Sequence, residues 1–128
     1  MKELSVVIPV YNENPEAVEK FYHELKSLGC HVIVVDDGDT MNLSIPKVTY
    51  KPHRGYGYAL KVGIQHAQTD VICTADGDSQ HTSEDVWRLW CIYNLIRDCK
   101  MLIGQRWNIQ EIWYRWIARK AINFTGSI

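Results

Sequence analysis

The sequence predicts an α/β domain, a mostly parallel β-sheet flanked by helices. Three observations predict it. Short apolar runs rich in Val and Ile alternate with stretches whose apolar residues recur every three or four positions, as strands alternating with helices do. The runs are apolar throughout rather than at every second residue, which suits strands covered on both faces. Three of the runs end in polar clusters, and parallel sheets bind ligands outside the carboxyl ends of their strands.

Taken in order, Leu4–Val10 is the first buried strand. Asn14 then Pro15 supplies an N-cap and a first-turn proline, Val18, Phe21, Tyr22, Leu25 and Leu28 follow at helical spacing, and Gly29 ends that helix. Val32–Val35 is a second strand, running into Asp36-Asp37-Gly38-Asp39. Residues 40–46 read as loop and Lys47–Lys51 as a short strand. Pro52–Gly57 is a turn with two glycines, and Tyr58–Gln68 fits a helix. Val71–Ala75 is the next strand. Thr82 with Asp85 resembles a capping box before the stripe Val86, Leu89, Trp90, Tyr93 and Ile96. Trp87, Trp90 and Tyr93 are expected in the core. Lys100–Gly104 is expected to be a strand. Ile109, Ile112, Trp113, Trp116, Ile117, Ala121 and Phe124 form a last helical stripe. The expected organisation is a core over 1–108 and an amphipathic, basic and aromatic helix over 109–128 of the same domain.

The chain has 128 residues, 46% hydrophobic and 23% charged, enough for one domain with a real core. A net charge of −1 names no charged partner and gives no ground for nucleic-acid binding. The distribution says more: residues 1–96 hold 8 basic and 13 acidic side chains, a net −5, and residues 97–128 hold 6 basic and 2 acidic, a net +4. A basic segment thus follows an acidic body. Cys30, Cys73, Cys91 and Cys99 form no C-x-x-C pair, and Cys73 and Cys91 lie in apolar runs, so buried free thiols in a reducing compartment are expected. No signal-peptide pattern, spanning apolar run, repeat or low-complexity tract is present.

The segment Val71-Ile72-Cys73-Thr74-Ala75-Asp76-Gly77-Asp78-Ser79-Gln80-His81 carries the most chemistry. An apolar run gives way to two carboxylates spaced i, i+2. At a strand's end both can face one small volume, where like charges repel and burial raises the cost. A hard divalent cation removes that conflict, because Mg²⁺ takes one or two carboxylates and completes its shell with phosphate oxygens and water. Taken alone, D-G-D is a polar turn after a strand. Beside Tyr11-Asn12-Glu13 and Asp36-Asp37-Gly38-Asp39, it reads as a metal–diphosphate site. His23, His31, His53 and His66 show no metal-ligand spacing, and His81 is expected at the surface.

Val7-Ile8-Pro9-Val10-Tyr11-Asn12-Glu13, Val34-Val35-Asp36-Asp37-Gly38, Arg54-Gly55-Tyr56-Gly57-Tyr58-Ala59-Leu60 with Gly63, and Asp76-Gly77-Asp78-Ser79-Gln80-His81 occur in that order. Together they resemble the first half of a family 2 glycosyltransferase with the Rossmann-like GT-A fold, closest to the dolichyl- or polyprenyl-phosphate sugar transferases. The resemblance covers about residues 4–107. It implies that Pro9, Tyr11 and Glu13 line the nucleotide pocket, and that Asp37 contacts the base or ribose with Asp36 beside it. It implies that Gly55 and Ala59 let backbone approach the ribose and diphosphate. Asp76 and Asp78 would hold Mg²⁺ or Mn²⁺ against the diphosphate, with Gln80 as a further ligand. Gly104-Gln105-Arg106 is similar to the family's G-S-R segment, which assigns Arg106 to the acceptor phosphate. Arg119 would be a second acceptor-side arginine.

Departing nucleoside diphosphate carries extra charge, which a metal neutralises. Transfer to a hydroxyl also needs a general base, and Glu111 is the one candidate after residue 85. A phosphate acceptor is already ionised and needs none, and an arginine would seat it bidentately. A helix carrying Trp113, Trp116 and Phe124 with Arg115, Arg119 and Lys120 suits either packing on the sheet or lying in an anionic membrane interface. The expected protein is therefore a metal-dependent, inverting glycosyltransferase that takes a nucleotide-diphosphate sugar and a lipid-phosphate acceptor. Its expected location is cytoplasmic and peripheral on the inner membrane face. Family domains usually run longer, so the alternative is a non-catalytic nucleotide-sugar or lipid-binding module of the same fold. Asp39-Thr40 also replaces the family's usual serine-led segment. Asp37-Gly38-Asp39-Thr40 would suit a haloacid dehalogenase-type phosphatase, but that class wants Thr or Val two residues after its second aspartate, where this chain has Met41. Gly55-x-Gly57 is a partial dinucleotide fingerprint after the third strand rather than the first.

Overall fold

A computed structural model describes residues 1–104. The elements are β1 (Leu4–Val10), α1 (Pro15–Ser27), β2 (His31–Asp37), β3 (Val48–Tyr50), α2 (Tyr56–Gln65), β4 (Val71–Thr74) and α3 (Ser83–Leu95). Four strands form one sheet in the order β3-β2-β1-β4, and every pairing is parallel. This is the expected fold class. Strands added to one side of β1 and then to the other leave the reversal between β1 and β4, the place where such sheets bind ligands.

All seven residues of β1 are buried, as a central parallel strand covered on both faces requires. On one face Val7 and Val35 pack with Ala59 and Leu60 of α2. The seating is close because α2 turns Gly63 toward the sheet: a Cβ there would lie 2.2 Å from Val7 Cγ1. Val18, Phe21 and Leu25 are the buried stripe of α1. That helix starts as its sequence directs, with the Asn14 side chain accepting from the N–H groups of Glu16 and Ala17 and proline in the first turn. It stops at Leu28, and Gly29 follows at φ +91°.

Pro9 sits in this central strand without breaking it. Val7 accepts from Ala75 N–H on the β4 side, so alternation turns the Pro9 nitrogen to that side too. The β1–β4 pairing ends at Val7 with Thr74, and no ladder bond is asked of Pro9.

Some expectations change. The helix expected over Tyr58–Gln68 begins two residues earlier and ends at Gln65. The segment 101–104 is partly buried but unpaired, so the expected Lys100–Gly104 strand is absent: an apolar run becomes a strand only where a neighbouring backbone accepts its hydrogen bonds. Trp87 is exposed rather than core, since a helix advances about 100° per residue and Val86 holds the inward position. Trp90 and Tyr93 are partly buried and stack, with ring centroids 6.1 Å apart. All four cysteines are free; Cys30 is buried, and Cys73 and Cys91 are only partly so. The chain divides into two compact units, Met1–Ser83 and a second that begins at Glu84. The expected 108/109 boundary and the 109–128 helix lie outside the described residues. No described helix is long and apolar enough to cross a membrane.

Candidate functional site

Three carboxylates stand just beyond the tips of β1 and β4. Glu13 follows β1, and Asp76 and Asp78 follow β4. Burial pushes the Glu13 carboxyl above its ordinary value, and the charges of Asp78 and Asp76 push it further. Both aspartates thus act on the Glu13 carboxyl. Tyr56, at the start of α2, donates its hydroxyl to Asp76 Oδ1 at 3.1 Å. Its phenol is held well above the usual range by burial, then by the Asp76 charge and hydrogen bond and by Asp78, so it stays a donor. No ion pair to Asp76 or Asp78 exists among the described residues.

The turn that carries the aspartates is held tightly. Gly77 lies against the end of β1, where a Cβ would stand 2.7 Å from Val10 Cγ1. Asp76 N–H donates to His81 Nδ1 at 2.8 Å, and Gln80 N–H donates to Asp78 Oδ1 at 3.0 Å around Ser79 at φ +66°. His81 thus pins the backbone of the first aspartate and is partly buried rather than a loose surface group. Asp76 is partly buried and Asp78 exposed. Two carboxylates and the Gln80 amide oxygen are hard oxygen donors of the kind Mg²⁺ and Mn²⁺ accept. Among the described residues no three His, Cys, Asp or Glu side chains form a cage for a metal.

Asp36 and Asp37 end β2, and strand alternation sends them to opposite faces. Asp36 is 0% exposed. Its Oδ1 accepts from Thr40 N–H and Thr40 Oγ1, both at 3.0 Å, and its Oδ2 from Met41 N–H at 2.9 Å and Lys47 Nζ at 2.8 Å. Lys47 also reaches Asp39 Oδ1 at 3.0 Å and donates to the Met41 carbonyl. Burial pushes Asp36 up, but Lys47 and the Met41 and Thr40 donors outweigh it and hold the carboxyl below its usual range. Thr40 Oγ1 also accepts from Asn12 N–H at 2.9 Å, tying the β1 tip to the β2 loop. Asp36 is a buried organiser of that loop, with no surface to offer a ligand.

Asp37 does the same on the other face. Its Oδ1 accepts from Tyr50 Oη at 2.7 Å and Arg54 N–H at 2.8 Å, and its Oδ2 from Gly55 N–H at 2.9 Å, with His53 Nδ1 at 2.6 Å. Against burial, those donors lower its pKa. A carboxylate so enclosed is no open phosphatase nucleophile. Gly38, at φ +90°, lets the chain pass beside His53, whose Cα would lie 3.1 Å from a Cβ at 38.

Tyr11 is half exposed, and its ring lies 4.1 Å from that of His53. Gly55, at φ +96°, has open space where a Cβ would be, so backbone there is approachable as expected. Ala59 is different: it is 0% exposed and packs into the core under α2, because its position in the helix faces the sheet. Pro9 is likewise buried within β1. Arg106 and Arg119 lie outside the described residues. Sequence reasoning missed Tyr56, Thr40, Lys47 and His53. Only Tyr56 carried a signal, an aromatic between two glycines just before a helix.

The fold is an α/β domain with a parallel sheet, and its acidic residues follow the carboxyl ends of β1, β2 and β4. The model of the family Glycosyl transferase family 2 matches residues 5–126, and the chain belongs to that family. Its α/β domain with a four-stranded parallel sheet is consistent with the GT-A arrangement. Membership supports glycosyltransferase activity and implies a nucleotide-sugar donor and an acceptor.

Proposed function

We propose that this chain is a metal-dependent, inverting glycosyltransferase that transfers a sugar from a nucleotide-diphosphate donor to a lipid-phosphate acceptor of the polyprenyl-phosphate type. What supports the metal-dependent part is the tight turn that carries Asp76 and Asp78 just beyond β4, close enough to Glu13 to raise its pKa, with the Tyr56 hydroxyl donated to Asp76. Repelling carboxylates held in place by a tight turn suit a cation that the donor's phosphates help to coordinate. Asp76, Asp78 and Gln80 would hold Mg²⁺ or Mn²⁺, which when bound neutralises charge on the departing diphosphate.

The residues divide the remaining work. Tyr11 offers a ring face to the base and Gly55 an open backbone to the ribose and diphosphate. Asp36 and Asp37 shape the pocket by holding the 39–47 and 50–55 segments. Ala59 and Pro9 support it from the core. Arg106 positions the acceptor phosphate. The lipid-phosphate acceptor is favoured by the basic residues of 97–128 and by chemistry, since an ionised phosphate oxygen attacks without a general base. The same basic, Trp-bearing segment suits peripheral contact with an anionic membrane surface.

The test is calorimetry with a panel of UDP- and GDP-sugars, with and without Mn²⁺. Binding of at least one donor should require the metal and vanish in Asp78→Ala while that variant remains folded. Undiminished metal-dependent binding in Asp78→Ala would overturn the site. Release of nucleoside diphosphate on adding a polyprenyl phosphate distinguishes an enzyme from a binding module.

A further inference from the structure

A carboxylate has about four lone-pair positions; three of those of Asp37 accept hydrogen bonds, and a ring nitrogen stands against the carboxylate as well. The three donors are fixed in the framework: the Tyr50 hydroxyl on β3 and the N–H groups of Arg54 and Gly55 at the entry to α2. The ring nitrogen is Nδ1 of His53, at 2.6 Å. The Asp37 side chain is 3% exposed and that of His53 48% exposed, so the imidazole covers the carboxylate from the solvent side. The same imidazole lies over Tyr11 with ring centroids 4.1 Å apart and planes inclined by 31°.

His53 therefore occupies the two places a nucleobase would use here: its flat ring lies against the Tyr11 ring, and its ring nitrogen stands 2.6 Å from the Asp37 carboxylate. We propose that His53 is an internal occupant of the base pocket, which a nucleobase bearing an in-plane N–H must displace, so that this side chain competes with the donor and sets its affinity. The inference rests on the reading of the chain as a nucleotide-sugar binder. The displacement is local. The His53 backbone is held close to Gly38, but its ring turns about the Cα–Cβ bond without moving that backbone. Once it turns, Asp37 regains one acceptor position and Tyr11 a bare ring face, while the three hydrogen bonds keep the carboxylate aimed.

The experiment titrates UDP, and separately GDP, into the full chain in Mn²⁺ by calorimetry. His53→Ala should bind about tenfold more tightly than wild type, because apparent affinity is reduced by the fraction of molecules whose site is closed. Equal or weaker binding by the variant would overturn the proposal and make His53 a wall of the pocket. Absence of nucleotide binding by wild type and variant alike would overturn the donor-binding reading itself. A second measurement needs no variant: with ¹⁵N-labelled histidine, saturation with UDP should shift the His53 Nδ1 resonance from its carboxylate-bonded position to a solvated one. An unmoved resonance under saturation would overturn displacement.

Discussion

Two pairs of aspartates stand at the carboxyl ends of strands in one sheet, and they are used in opposite ways. Asp36 and Asp37 are buried, Asp36 accepting four hydrogen bonds and Asp37 three with the His53 ring nitrogen beside it. Asp76 and Asp78 are more open; among the described residues Asp76 accepts from Tyr56 and Asp78 from the Gln80 N–H. Spacing explains the contrast. Neighbours on a strand point to opposite faces, so Asp36 and Asp37 each organise a separate loop. The first pair spends its charge on the protein, and the second is less enclosed by it.

The contrast breaks first in stability. Asp36→Ala takes from Lys47 its buried carboxylate, leaving it Asp39, and strips two backbone donors of their acceptor; it should cost about 3–5 kcal/mol, read from urea midpoints. Asp37→Ala should cost about 1–3 kcal/mol in the same assay, since its donors lie nearer to water. Gly77→Ala should cost about 1–2 kcal/mol, because the new methyl meets Val10 and Ile8; a neutral result would mean that the turn is loosely seated. Asp78→Ala should change stability by less than about 0.5 kcal/mol even though Mn²⁺-dependent donor binding disappears.

The smallest effect is a pH dependence of opposite sign at the two places. The folded pKa values of Asp36 and Asp37 are depressed below their ordinary 3.8, so the stability they contribute is present above 3.8 and is lost as pH falls through the folded values. Glu13 is raised above its ordinary 4.5, so its contribution is present below 4.5 and is lost as pH rises through the folded value. Glu13→Gln should therefore flatten the decline on the alkaline side of 4.5 and leave the acid limb unchanged. Urea midpoints across pH 3 to 8 would reveal either failure.

Much of this was legible in the sequence because it is written in local chemistry. Asn14-Pro15 states a helix start, Leu4–Val10 states a strand buried on both faces, and Asp76-Gly77-Asp78 states a polar turn at the end of a strand. What stayed hidden depends on partners distant along the chain. Nothing near Asp36 announces that Lys47 will neutralise it, and nothing near Asp37 announces Tyr50 and the Arg54 and Gly55 N–H groups. Ala59 sits in a motif that suggests ligand approach, yet the turn of α2 aims it at Val7 and Val35. The run at 100–104 had the composition of a strand and lacked only a neighbour, which composition does not encode.

Pro9 has a consequence beyond its own tolerance in β1. For β4 to pair one step further along β1, the residue at position 9 would have to donate to the carbonyl of Ala75, and proline has no hydrogen to give. Zippering of the two strands is stopped by covalent structure rather than by a delicate balance of contacts. The notch beside the acidic residues is propped open before any ligand arrives, and replacing that imino acid would let the seam begin to close.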